Sequence, residues 1–65
     1  MKEGDRVVIT KVPEKNYQFF SEGDKATLLY TDRDGDWWAK FEIKRFNDDV
    51  WCIQNGFSEC EVINE

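Results

Sequence analysis

Residues 20–43 have the sequence FSEGDKATLLYTDRDGDWWAKFEI, and this stretch decides the fold. It contains two runs of β-forming residues, 25–31 and 37–43, and each run follows a turn rich in glycine and aspartate. The dipeptide Asp34-Gly35 lies between them and suits a type I′ turn, in which both central residues have positive φ. The stretch therefore predicts a β-hairpin that turns at this dipeptide, with Gly35 at positive φ.

Alternation along the second of these strands predicts which side chains enter the core. Successive side chains of a strand point to opposite faces, so residues two apart share a face. One face carries only polar residues after Trp38, and we expect Trp38 to stay partly exposed. The other face is apolar, and we expect it to be buried: Trp37, Ala39, Phe41 and Ile43.

Three further runs of apolar residues complete the set of strands. Residues 6–12 predict a first strand that ends at Pro13, 50–53 a fourth, and 61–63 a short closing strand. The aromatic and polar segment between Pro13 and Gly23 has neither alternation nor a helical stripe, and we expect a long loop that Phe19 or Phe20 pins to the sheet. The sequence thus predicts one domain over 1–65, a small five-stranded antiparallel β-barrel.

Charge and composition exclude several classes of function. Fourteen acidic and nine basic residues give a net charge of −5, which repels a phosphate backbone and argues against direct binding of nucleic acid. No apolar run approaches the roughly 20 residues that cross a bilayer, and the segment 1–5 is not a signal peptide. We therefore expect a cytoplasmic protein that does not bind membranes.

Metal binding and catalysis also have little support in the sequence. The chain has no histidine and only two cysteines, Cys52 and Cys60, which we expect to be partly buried thiols rather than zinc ligands or a disulfide. Asp32, Asp34 and Asp36 alternate like the first ligands of a calcium loop, but Trp37 and Ile43 occupy the positions of its glycine and bidentate glutamate. We therefore predict no metal, no cofactor and no enzymatic activity.

Residues 20–41 combine several features of a known fold family. These features are Phe20 three residues before Gly23-Asp24, a strand, a hairpin at 34–36 and the pair Trp37-Trp38. Over this stretch the chain resembles the Src-homology-3 fold. The resemblance implies a barrel of this type, and it implies that Trp37 walls a groove for peptides. The family's tyrosine-rich motif in the first strand and its groove proline are missing, which argues against recognition of proline-rich peptides.

The start Gly4-Asp5-Arg6-Val7, the hairpin at 34–36 and the late pair Trp51-Cys52 are also similar to short uncharacterised proteins of tailed bacteriophages. This likeness suggests a phage or bacterial accessory protein as the source.

The number of aromatic residues suggests how the protein works. So many large rings cannot all enter the core of a small barrel, and aromatic residues left outside are typical anchors of protein interfaces. We therefore expect a small acidic protein-interaction module that binds a basic partner protein, as a monomer or weak homo-oligomer. Two alternatives are an inhibitor that mimics nucleic acid and a structural or assembly subunit. The predicted contact residues are Tyr17, Phe19, Trp37, Trp38 and Trp51.

Overall fold

Five β-strands form one antiparallel sheet in the computed structural model, which describes residues 1–64. The strands follow one another across the sheet in the order β4-β3-β2-β1-β5. Within the described residues there is no helix, and hence none that is long and apolar enough to cross a membrane. The strands are β1 (Arg6–Lys11), β2 (Lys25–Thr31), β3 (Trp37–Arg45), β4 (Asp48–Ile53) and β5 (Glu59–Val62).

The five predicted strands are all present, so the all-β prediction is confirmed. β2 has the predicted bounds. We predicted residues 44–49 to be a connection, but β3 extends to Arg45 and β4 begins at Asp48, so most of this segment belongs to the two strands. β4 and β5 are the two edges of the sheet, and within residues 1–64 they do not pair with each other. The sheet is therefore open between these two strands.

The core lies on one face of the sheet, beneath the long loop that follows β1. Phe20 of this loop is completely buried, and its ring stacks on that of Phe41 with centroids 4.9 Å apart and planes 13° apart. The expectation that a phenylalanine pins the loop is therefore confirmed. The buried apolar residues are Val7, Ile9, Phe20, Ala26, Leu28, Ala39, Phe41 and Ile53.

Ile43 is an exception to the predicted alternation, because its side chain is 52% exposed. Pairing of β3 with β2 ends at Phe41, which lies opposite Ala26. Pairing with β4 is regular only as far as Lys40, and its register shifts before Arg45. Ile43 therefore lies beyond the part of the sheet that covers the core, and the prediction that it is buried was wrong.

The turn between β2 and β3 is organised by Asp32. Its Oδ1 accepts hydrogen bonds from the backbone N–H groups of Asp34 and Asp36 at 3.0 and 3.1 Å, and the N–H of Gly35 donates to its carbonyl at 3.1 Å. Gly35 has φ 83°, as predicted, but Asp34 is not among the residues with positive φ. The turn is therefore an aspartate-capped turn and not the predicted type I′ turn.

Gly35→Ala is expected to destabilise the protein by about 1 kcal/mol, because an L-residue at this φ is strained. An added Cβ would meet no atom within 4 Å, so the cost is conformational and not steric. Urea denaturation of the synthetic protein with L- or D-alanine at this position separates the two causes. The D-residue should be at least as stable as glycine, and equal stability of the two alanine forms would contradict the argument.

The hairpin between β3 and β4 contains the two left-handed non-glycine residues of the described chain. Phe46 has φ 55° and Asn47 has φ 60°, and Arg45 pairs with Asp48 across them. Asparagine tolerates this conformation, whereas a bulky aromatic residue there is unusual. The turn holds the ring of Phe46 64% exposed at the end of the hairpin.

Candidate functional site

Four of the five predicted contact residues line one groove, which we call the aromatic groove. Tyr17 and Phe19 come from the long loop, Trp38 from β3 and Trp51 from β4. The groove has a volume of about 200 Å³, and its remaining lining residues are Cys52 and Gln54. Residues that are distant in sequence therefore meet at the β4 edge of the sheet.

Ring contacts hold the loop against β4. The rings of Phe19 and Trp51 have centroids 4.8 Å apart, and Tyr17 contacts Phe19 edge to face at 5.3 Å. Tyr17 also contacts the buried Phe20 at 4.9 Å, so the core itself supports this wall of the groove. Phe46 continues the aromatic surface outside the groove, 5.7 Å from Phe19. Such contacts favour a preformed wall over a mobile loop.

An ion pair between Arg45 and Asp24 also holds the long loop in place. Nη1 of Arg45 donates to Oδ2 of Asp24 at 2.8 Å and to the backbone carbonyl of Phe19 at 3.3 Å. Both charged side chains are largely shielded from solvent, with 27% and 14% of their surface exposed. The pair therefore connects the end of β3 to the loop that carries Phe19.

Trp38 is partly buried, and a hydrogen bond and a ring contact hold its indole. Its Nε1 donates to Oδ2 of Asp32 at 3.0 Å, and its ring stacks on Tyr30 with centroids 6.4 Å apart and planes 16° apart. This hydrogen bond is the main reason that the pKa of Asp32 is lowered, and the N–H groups of Asp36 and Asp34 lower it further. Asp32 is therefore ionised next to the indole at neutral pH.

One end of the aromatic groove is negatively charged. A carboxylate oxygen of Asp32, one of Asp36 and the Sγ of Cys52 all lie within 4.8 Å of one another. Burial raises the pKa of the Cys52 thiol to about 11, and the nearby carboxylates of Asp36, Asp32 and Asp34 raise it as well. The thiol is therefore neutral at pH 7, and the charge at this end comes from the carboxylates.

These three residues do not make a convincing metal site. Both oxygens of Asp32 already accept hydrogen bonds, and Oδ1 of Asp36 accepts one from the N–H of Asn55 at 2.9 Å. A metal would need the thiolate of Cys52, which its raised pKa opposes. The arrangement is better suited to attracting a cation that brings its own hydrogen-bond donors.

Alkylation measures the state of Cys52 directly. In a Cys60→Ser background, the rate of reaction with iodoacetamide is expected to rise with pH to a midpoint of about 11, because the charged thiolate is disfavoured by burial and by the carboxylates. Circular dichroism recorded over the same pH range verifies that the protein stays folded. A midpoint near 8.5, the value of a free cysteine, would contradict the described surroundings of this thiol.

Trp37 lies outside the aromatic groove. Neighbouring residues of a strand face opposite sides, and Trp37 packs partly against the core opposite Ile53. It lines a second groove of about 320 Å³, together with Ser58 and Cys60. The structure therefore separates Trp37 from the other four predicted contact residues.

Sequence reasoning missed the polar part of the aromatic groove. Cys52 and Gln54 line it, and Asp36 lies near Cys52, but none of the three was predicted as a contact residue. Cys52 pairs with Trp38 across β3 and β4, and this pairing, which the sequence alone does not reveal, places Cys52 beside the groove. No family model, curated protein or solved structure matches this chain.

Proposed function

We propose that this chain is a small acidic protein-interaction module that binds a basic partner protein through the aromatic groove. The observation that carries the proposal is the convergence of Tyr17, Phe19, Trp38 and Trp51 from separate segments on one groove. Phe19 is exposed and the other three are partly exposed. Accessible aromatic residues that are held in place lose little side-chain entropy on binding, and they dominate the energy of many interfaces.

The size of the groove supports a side chain of a partner as its occupant. Pockets for small metabolites and cofactors usually have volumes of about 300 to 1,000 Å³. The aromatic groove, at about 200 Å³, is smaller and opens at the edge of the sheet. It is therefore suited to one or two side chains of a protein rather than to a complete cofactor.

The resemblance to the Src-homology-3 fold is part of the proposal. It is supported by five antiparallel strands, by the buried Phe20, and by Gly23 at φ 91° before β2. A barrel of this type would leave its long loop beside the start of β3, which is where Phe19 and Trp38 meet. The groove here contains Trp38 in place of Trp37, the residue that the resemblance suggests.

Selection from a displayed library of random peptides tests the function without a known partner. Peptides retained by the protein are then measured against Phe19→Ala, which removes a groove wall, and against Phe57→Ala as a matched control. Phe57 is 61% exposed and lies outside the groove. We expect the first change to reduce affinity by about tenfold or more and the second to leave it unchanged. Equal losses in both variants, or no retained peptides, would contradict the proposal.

A further inference from the structure

We propose that the aromatic groove receives an arginine side chain of the partner, with its guanidinium group at the end where the lining residue Cys52 lies beside Asp36. This inference rests on the proposed function and specifies the chemistry of the bound residue. Aromatic rings form the walls of the groove, and carboxylates lie beside one end of it. Rings and carboxylates both attract cations, and desolvation inside a groove strengthens the attraction.

Charge complementarity favours a cation over any neutral or anionic residue. Asp32 and Asp36 lie next to Cys52, and Asp34 and Glu14 also act on groups of the groove. The pKa of Tyr17 is raised, mainly by burial and further by Cys52 and Glu14. Arg45, the base bound to the carbonyl of Phe19, is already paired with Asp24. The potential at the groove is therefore negative.

Asp36 has an oxygen available for a new donor. Its Oδ1 accepts the N–H of Asn55, and within residues 1–64 its Oδ2 accepts no hydrogen bond. Asp32, in contrast, uses both oxygens to hold the turn and Trp38. We therefore assign the direct contact with the guanidinium to Asp36 and a supporting electrostatic role to Asp32.

Arginine fits this environment better than lysine. Its guanidinium is planar, stacks on aromatic rings and carries five donors, whereas the ammonium of lysine is compact and strongly hydrated. The aromatic walls of the groove therefore favour arginine over lysine as the bound residue.

Three short peptides test the proposal. Each is capped, has two glycines on either side of the central residue, and carries arginine, lysine or citrulline there. Citrulline has nearly the shape of arginine but no charge. Titrations are followed by the NMR signals of the Trp38 and Trp51 indole N–H groups. The arginine peptide is expected to bind at least about tenfold more tightly than either of the others.

Charge variants locate the contact. Asp36→Asn keeps an oxygen for the N–H of Asn55, and it should bring the affinity for the arginine peptide closer to that for the citrulline peptide. Glu61→Gln, which removes the same charge from the exposed surface of β5 at the opposite edge of the sheet, should leave the affinity unchanged. Equal losses of affinity in the two variants would show that only the net charge of the protein matters, and they would overturn the proposal. If Asp36→Asn does not fold, the comparison of arginine with citrulline on the parent protein decides.

The failure of this inference differs from the failure of the proposed function. If library peptides bind in a way that depends on Phe19 but carry no preferred arginine, the interaction module stands and the arginine assignment is overturned. Equal binding of the lysine peptide also overturns it. If no peptide binds in either experiment, both proposals fail.

Discussion

Phe41→Ala is expected to cost about 3–5 kcal/mol of stability and to leave much of the protein unfolded. Phe41 is only 3% exposed and stacks on Phe20 at a centroid distance of 4.9 Å. A chain of this length has a total free energy of unfolding of about 3–10 kcal/mol. The loss of one ring therefore removes a large part of the total, and denaturant unfolding followed by tryptophan fluorescence measures it.

Ile43→Ala is the matched control, since Ile43 lies two residues later on the same strand. With more than half of its surface exposed, its truncation should cost less than about 1 kcal/mol. Strict alternation would make the two substitutions similarly harmful. A large loss of stability for Ile43→Ala would contradict the conclusion that the sheet stops covering the core after Phe41. A loss of stability below about 1 kcal/mol for Phe41→Ala would show that Phe41 is not a core residue.

Trp38→Ala is expected to weaken binding of the library-selected peptides by at least about 2 kcal/mol, a loss typical of an interface anchor. The ring lines the aromatic groove but is only partly buried, so its removal should affect unfolding less than Phe41→Ala does. Isothermal titration calorimetry gives the binding loss, and denaturant unfolding of the same variant gives the loss of stability.

Trp37→Ala is the natural control for this variant, because the two tryptophans are adjacent in sequence and face opposite sides. Trp37 packs partly against the core and lines the second groove. Its truncation should reduce stability and leave the affinity of the folded protein unchanged. The reverse pattern, with binding lost only in Trp37→Ala, would move the contact surface to the second groove.

Local sequence signals were sufficient to locate the five strands and part of the core. Turn residues before β2 and β3 set their starts, and alternation correctly buried Ala39 and Phe41. The same rule failed at Ile43, because alternation shows only which face a side chain lies on and not where the neighbouring strands end. Burial depends on those neighbours, and their register is a property of the whole sheet.

Turn chemistry was informative only where a glycine was present. Gly35 has the predicted positive φ, although Asp32 caps the turn in a way that the dipeptide alone does not reveal. The hairpin at Phe46 and Asn47 has two left-handed residues and no glycine, so composition did not predict a two-residue turn there. Pairing of the flanking strands evidently imposes this conformation.

The sequence predicted which aromatic residues form the groove but not how they are arranged in space. Composition indicated that several rings must remain outside the core, and Tyr17, Phe19, Trp38 and Trp51 were chosen on that ground. Their convergence depends on how the loop folds over β4, through contacts between residues far apart in the chain. The separation of Trp37 and the approach of Asp36 to Cys52 are likewise results of tertiary packing.

The pairing of β1 with β5 has a consequence for synthesis on the ribosome. Val7 lies opposite Val62, so one edge of β1 cannot be covered until almost the whole described chain has been made. Strands β1 to β4 can pair beforehand, and during that interval β1 exposes unpaired backbone groups to other chains. Nascent chains that stall before Glu59 should therefore be more prone to aggregate than released ones.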